Sequence, residues 1–229
     1  MKSVDKYVYP GTRVLINKYD CRDAEELKEL EARSTMGNLV YLQLHPISGK
    51  FDFKHLKEIH RFIFQDVYDW AGKVRTIDIG KNNLFCRAQF IHEYAAEVFG
   101  DFYSSCYDAR EDREAFVEKV VSHYADLNAL HPFREGNGRS QREFTRELCL
   151  KCGYVFDLTS TSYKEMIAAS VLSFDKGDNT KLKDGLFPAY TSCIGISGHE
   201  NTIKNASTQI RAARTGRILK IFFTVSIII

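Results

Sequence analysis

The chain contains no apolar run near the roughly 20 residues that a membrane-spanning helix needs. Its longest, ILKIFFTVSIII at 218–229, is broken by Lys220, so no membrane span is expected. A strong excess of either charge is also missing: 32 Lys and Arg against 30 Asp and Glu leave a net charge of +2. A protein that works on nucleic acid usually carries a clear basic excess or face, and the one basic cluster, Arg211, Arg214, Arg217 and Lys220, reads as a solvated tail. The six cysteines, at 21, 86, 106, 149, 152 and 193, lack the crowding of a disulfide scaffold. One CxxC, Cys149 and Cys152, has no second pair to complete a zinc site and falls in a helical pattern, where core packing is expected. The start, MKSVDKYVYPGTRV, shows no apolar signal core. With the cysteine usage this gives a cytoplasmic expectation. The common nucleotide fingerprints are absent as well. Leu44, Val67 and Arg75 stand where a P-loop would need its first glycine before the three Gly-Lys pairs, and no GxGxxG occurs around the glycine-rich loop.

What is present is a globular composition, 44% hydrophobic and 13% aromatic over 229 residues, with a helical period through most of 20–175. Helices are expected over 23–44, over 51–72 with Asp52 as N-cap and Gly72 as left-handed stop, and over 113–131, where Pro132 blocks continuation. Two more are expected over 139–153, closed by Gly153, and over 161–174. Residues 73–86, KVRTIDIGKNNLFC, favour strand before a turn at 80–83 and predict a short β-hairpin.

The chemistry concentrates in HPFREGNGRSQR, residues 131–142. Pro132 drives the chain out of a helix just after His131. Gly136 and Gly138 permit positive φ, so backbone N–H groups can converge. A helix then begins near Asn137 or Gly138, and its N-terminus favours an anion. Arg139, Arg142 and Arg146 follow at i, i+3 and i+7, suited to gripping phosphate oxygens. Glu135 in such company suits Mg²⁺ bridging those oxygens. His131 is left to take a proton from an incoming hydroxyl, with Asn128 one turn earlier placed to bond the ligand or orient the ring.

These residues resemble the signature of the Fic-domain proteins, HxFx(D/E)GNGRxxR, with His131, Phe133, Glu135, Gly136, Asn137, Gly138, Arg139 and Arg142 at every defined position. The likeness extends to YPGTRVLINK, HLKEIHRFIFQDVYDWAGKVR and the hairpin with Lys81 and Phe85, about residues 6–190. It implies an all-α Fic-type core (residues 1–190) with a β-hairpin flap, followed by an extension, 191–229. It also implies transfer of AMP from Mg·ATP to a Ser, Thr or Tyr hydroxyl of a target protein. By the resemblance His131 is the base, Glu135 holds Mg²⁺, and Gly136–Asn137–Gly138 with Arg139 cradle the phosphates. Arg142 supports them, and Phe133 anchors the loop.

The flap, Thr76, Ile77, Asp78, Ile79 and Gly80, would take an extended target segment by strand addition, with Lys81 and Asn82 within reach of the nucleotide. The kinase-like branch of the family has lysine in place of the second glycine, and Gly138 favours AMP transfer instead. Two alternatives remain: transfer of another phosphate-containing group, and a binding module that holds a nucleotide or phosphopeptide without turnover. The family's inhibitory (S/T)xxxE(G/N) motif has no full match. Thr161 to Glu165 is followed by Met166, and Glu200-Asn201 has Ile196 where Ser or Thr belongs. Glu200-Asn201 is left as a degraded candidate, and the expectation is either a separate small antitoxin-like inhibitor, as in a toxin–antitoxin pair, or no inhibitor at all.

Overall fold

Capping side chains set the starts of four helices in the computed structural model, which describes residues 5–80, 84–156 and 161–187. The Asp23 carboxylate accepts the Glu25 and Glu26 N–H groups at 3.0 and 2.9 Å and opens α1, Ala24–Leu44. Asp52 accepts the His55 N–H at 2.9 Å and opens α2, Phe53–Phe64. Such caps contribute about 0.5–2 kcal/mol each. Helix α2 is shorter than its pattern suggests: it ends at Phe64 rather than running to Gly72. Residues 65–72 instead turn, with Val67 and Tyr68 still buried. Gly72 does adopt the left-handed conformation, φ +77°, but beyond the helix.

Residues 88–108, where the sequence assigned no element, hold a 3-10 turn, Ala88–Phe90, then α3, Ile91–Val98, and α4, Phe102–Asp108. Asp112 caps α5, Arg113–Leu130, and α6, Asn137–Lys151, ends before Gly153 at φ +86°. A Ser162–Glu165 capping box starts α7, Tyr163–Lys176, and α8 is Thr180–Leu186. Thus Glu165, in the stretch that fails the inhibitory motif, serves as a helix cap.

Among the described residues the expected hairpin shows one antiparallel bridge, Gly80 to Leu84, and the Phe85 N–H to Ile79 carbonyl bond at 3.2 Å. A second bridge, Val8 to Leu15, closes a turn near the start that the sequence did not reveal. Among the described residues the architecture is all-helical apart from these bridges, and no helix is long and apolar enough to cross a membrane.

The chain divides into two compact units, one of residues up to 105 with 126–144, the other of 106–125 and from 145 onward. In the first, Leu56, Ile59, Ile63 and Phe64 of α2 are fully buried along one face. Burial of each such side chain stabilises by about 1.5–3 kcal/mol. Phe144 collects the rings of Phe51, Phe99 and Phe102 at 5.3–5.8 Å. In the second, Phe116 stacks on Tyr154 at 4.1 Å, and Cys149 and Cys152 lie buried and unpaired in the core as expected. The extension at 191–229 lies outside the described residues.

Candidate active site

His131 sits immediately after α5 in the left-handed region, φ +42°, unusual for a residue with a Cβ. Its N–H still bonds the Leu127 carbonyl at 3.1 Å, while Pro132 prevents a further turn. Imidazole Nδ1 lies 3.2 Å from the Asn128 carbonyl. A carbonyl only accepts, so Nδ1 carries the hydrogen and Nε2 presents a lone pair. Asn128 therefore orients the ring through its backbone. The Phe85 ring stacks on the imidazole at 3.7 Å, nearly parallel. Burial pushes the imidazole down to about 4, against the Asn128 bond and aided by the Arg75 charge. The ring is neutral at physiological pH, as a base must be.

What holds His131 in place is a residue that the sequence reading did not single out. Arg75 is only 1% exposed. Its N–H bonds the Pro132 carbonyl at 2.9 Å, Nε the His131 carbonyl at 2.9 Å, and Nη1 the Ile77 carbonyl at 2.8 Å. Nη2 donates to the Cys86 carbonyl. One guanidinium thus ties both arms of the flap to the turn that carries the histidine.

The loop after His131 is closed from inside. Phe133 is fully buried, and the Asn137 side chain bonds both the N–H and the carbonyl of Phe133, at 2.9 and 2.8 Å. Expected among the nucleotide contacts, Asn137 keeps only its backbone for that role. Gly136 has φ +80°, and a Cβ there would fall 2.2 Å from the Phe64 ring. Gly138 does not share that conformation: it lies in the first turn of α6, where a Cβ would come within 3.1 Å of Arg142. Only one of the two glycines answers to positive φ. The His60 ring stacks on Phe133 at 3.8 Å and places Nε2 3.0 Å from the Glu135 carbonyl, while the Gly72 N–H donates to Nδ1 at 2.8 Å. Burial drives His60 to about 3, against the bond to Glu135 and helped by Arg139.

The Glu135 carboxylate is half exposed and accepts the Gly136 N–H at 2.8 Å. Arg139 is already engaged: Nη2 pairs with Glu31 of α1 at 2.6 Å, Nη1 donates to Thr35 at 3.3 Å, and the guanidinium lies 4.6 Å over the Phe64 ring. Glu31 also accepts the Tyr68 hydroxyl. Burial first, and the Glu31 charge second, raise the Tyr68 phenol. Arg142 is half-buried and pairs with no carboxylate among the described residues. Arg146 lies in the second unit, with a Glu147 oxygen at 4.0 Å.

Along the flap, Thr76, Asp78 and Gly80 are exposed while Ile77 and Ile79 are half-buried, the alternation of a strand. The Thr76 N–H is taken by the Tyr7 hydroxyl at 3.2 Å, and Asp78 accepts the Ala88 N–H at 2.7 Å. Lys81 and Asn82 lie outside the described residues. No group of three metal-ligating side chains occurs among the described residues.

Comparison with known proteins finds matches over the same stretch of the chain. The Fic/DOC family profile matches residues 50–149, from α2 through most of α6. The sequence is 39% identical over 172 residues to "Probable protein adenylyltransferase y4lH" of Sinorhizobium fredii, covering 74% of this chain and 88% of that protein. It is 38% identical over 173 residues to "Protein adenylyltransferase VbhT" of Bartonella schoenbuchensis, covering 75% of this chain but only 36% of that longer protein. Among solved structures, the N-terminal Fic domain of a VirB-translocated Bep effector protein from Bartonella quintana, with bound ADP, superposes with a TM-score of 0.73. That match has 26% identity over 79% of this chain and 92% of the other.

Proposed function

The chain belongs to the Fic/DOC family, and from that premise we propose that it is a protein adenylyltransferase, moving AMP from ATP to a hydroxyl side chain of a target protein. The observation that carries this reading is one short loop with a neutral, Nε2-open histidine at its start and the N-terminus of a 15-residue helix at its end. His131 Nε2 takes the proton of the target hydroxyl. The oxygen bonds to the α-phosphorus, the bond from that phosphorus to the α,β-bridging oxygen breaks, and pyrophosphate leaves. The Gly136 and first-turn N–H groups of α6, with Arg142, receive the phosphate oxygens. Arg139 adds a positive charge held in place by Glu31.

The carboxylate of Glu135 is the acidic group of the loop. Half exposed and beside the anion-binding turn, it fits a Mg²⁺ that takes most of its ligands from phosphate and water. Such an ion would neutralise charge on the triphosphate. The exposed edge of the flap at 76–80 receives the target segment by strand addition. Arg142, which pairs with no carboxylate among the described residues, suits restraint by a carboxylate from a separate antitoxin-like protein. A cytoplasmic location suits the five free cysteines of the described residues.

The test is label transfer in cell extract with Mg²⁺ and ATP labelled at the α- or the γ-phosphate, with and without His131→Ala. Protein labelled from the α position only, and not by the variant, is the expected outcome. Label from γ only would make the enzyme a kinase. No label from either would favour a binding module or a different phosphate-containing donor.

A further inference from the structure

We propose that His60 is a positioning residue for the nucleotide site: it sets the plane of the Glu135–Gly136 peptide and so aims the Gly136 N–H at the incoming phosphate. This deepens the adenylyltransferase reading and rests on it.

His60 is fully buried on α2, between the rings of Phe133 at 3.8 Å and Phe64 at 4.7 Å. Both ring nitrogens meet backbone groups whose roles are not negotiable. The Gly72 N–H can only donate, so Nδ1 accepts it; the Glu135 carbonyl can only accept, so Nε2 carries the hydrogen. Geometry alone assigns the neutral Nε2–H tautomer.

The consequence lies on the other side of the peptide. Every described peptide is trans, so its C=O and N–H point in opposite directions. With the Glu135 carbonyl drawn inward to α2, the Gly136 N–H faces outward. There an anion already meets it, the half-exposed Glu135 carboxylate at 2.8 Å. Some group has to choose this plane, because Gly136 has no Cβ to resist the flipped alternative. The Phe64 ring leaves no room for a Cβ on Gly136, which requires a glycine there but does not by itself set the plane of the peptide. The His60 bond closes that choice. The ring reaches the phosphate site through the loop and touches no substrate.

Two substitutions separate this role from simple packing. In His60→Asn the side-chain oxygen can still take the Gly72 N–H but falls short of Glu135. In His60→Gln the amide nitrogen reaches about as far as Nε2. Affinity of the full chain for Mg·ATP is measured by calorimetry, with thermal unfolding alongside. His60→Asn should weaken binding about tenfold, a loss of one well-placed hydrogen bond, while His60→Gln stays within about threefold of the parent. Equal losses of Tm with Mg·ATP affinity unchanged in His60→Asn would overturn the proposal. So would ring ¹⁵N shifts of the parent protein that show an Nδ1–H tautomer, a measurement that needs no variant to fold. A parent chain that fails to bind Mg·ATP would instead sink the adenylyltransferase reading, and this proposal with it.

Discussion

The loop at 131–138 and the described part of the flap, 76–80 and 84–85, are built in opposite ways. The loop is held by buried groups on nearly every side. Arg75 grips the His131 and Pro132 carbonyls, Asn137 bonds both ends of Phe133, and His60 holds Glu135. Among the described residues the flap's ties include one bridge, the Phe85–Ile79 bond, the Tyr7 and Asp78 contacts, and the shared Arg75. The difference suits the work proposed for each. Positioning a base and phosphates tolerates errors of only fractions of an ångström. An edge that accepts a target strand must keep backbone groups unpaired until the target arrives.

The sharpest way to break this comparison is at the base itself. His131→Ala should lower AMP transfer by roughly 10²- to 10⁴-fold, with Mg·ATP affinity nearly unchanged in calorimetry. Equal losses in both would mean that His131 belongs to the nucleotide cradle.

Arg75→Met comes next, since it keeps the bulk but strips donors from three partly buried carbonyls. Each unsatisfied group costs about 1–3 kcal/mol, so thermal unfolding should shift strongly. In the folded fraction the transfer rate should fall by about 10²-fold with a smaller change in ATP affinity. If transfer survives, the flap and His131 are not coupled through this residue.

The pH profile tests the histidine's surroundings. The base works unprotonated, and burial lowers its pKa to about 4. Transfer at limiting substrate should therefore stay level as pH drops through 6.5 and fall only near 4. A decline centred at 6.5 would place His131 in water. Stability has a related dependence. The unfolded chain protonates His60 and His131 near their ordinary value, about 6.5, whereas the folded chain resists until about 3 and 4. Folding stability should thus begin to drop as pH falls below about 6.5. His60→Gln removes one of the two contributions, and comparison of denaturant midpoints at pH 7 and pH 5 reads the difference.

The smallest effect is expected at the flap. Leu84 is 54% exposed, so Leu84→Ala should leave stability within about 0.5 kcal/mol. Labelling of the target should weaken chiefly at low extract concentration and recover at high, the signature of lost target binding. No change at any concentration would move the target contact elsewhere.

The amino-acid sequence alone determined the candidate residues for the proposed chemistry and most of the helices. Motif and capping signals act over a few residues: Pro132 ends a helix, Asp52 starts one, and the spacing from His131 to Arg142 is covalent. Tertiary structure decided how those residues are held. Arg75 reads in sequence as one charge in a strand-like run, and His60 as a polar interruption in an apolar helical face. Each gains its meaning from backbone carbonyls 56 and 75 positions away. Glu31 reaches Arg139 across 108 positions, and nothing in a helical period announces that. The shortening of α2 against its pattern and the single bridge among the described flap residues have the same cause. Burial of Val67 and Tyr68 outside a helix, and fixation of the flap by a buried guanidinium, depend on what lies opposite, which local patterns do not contain.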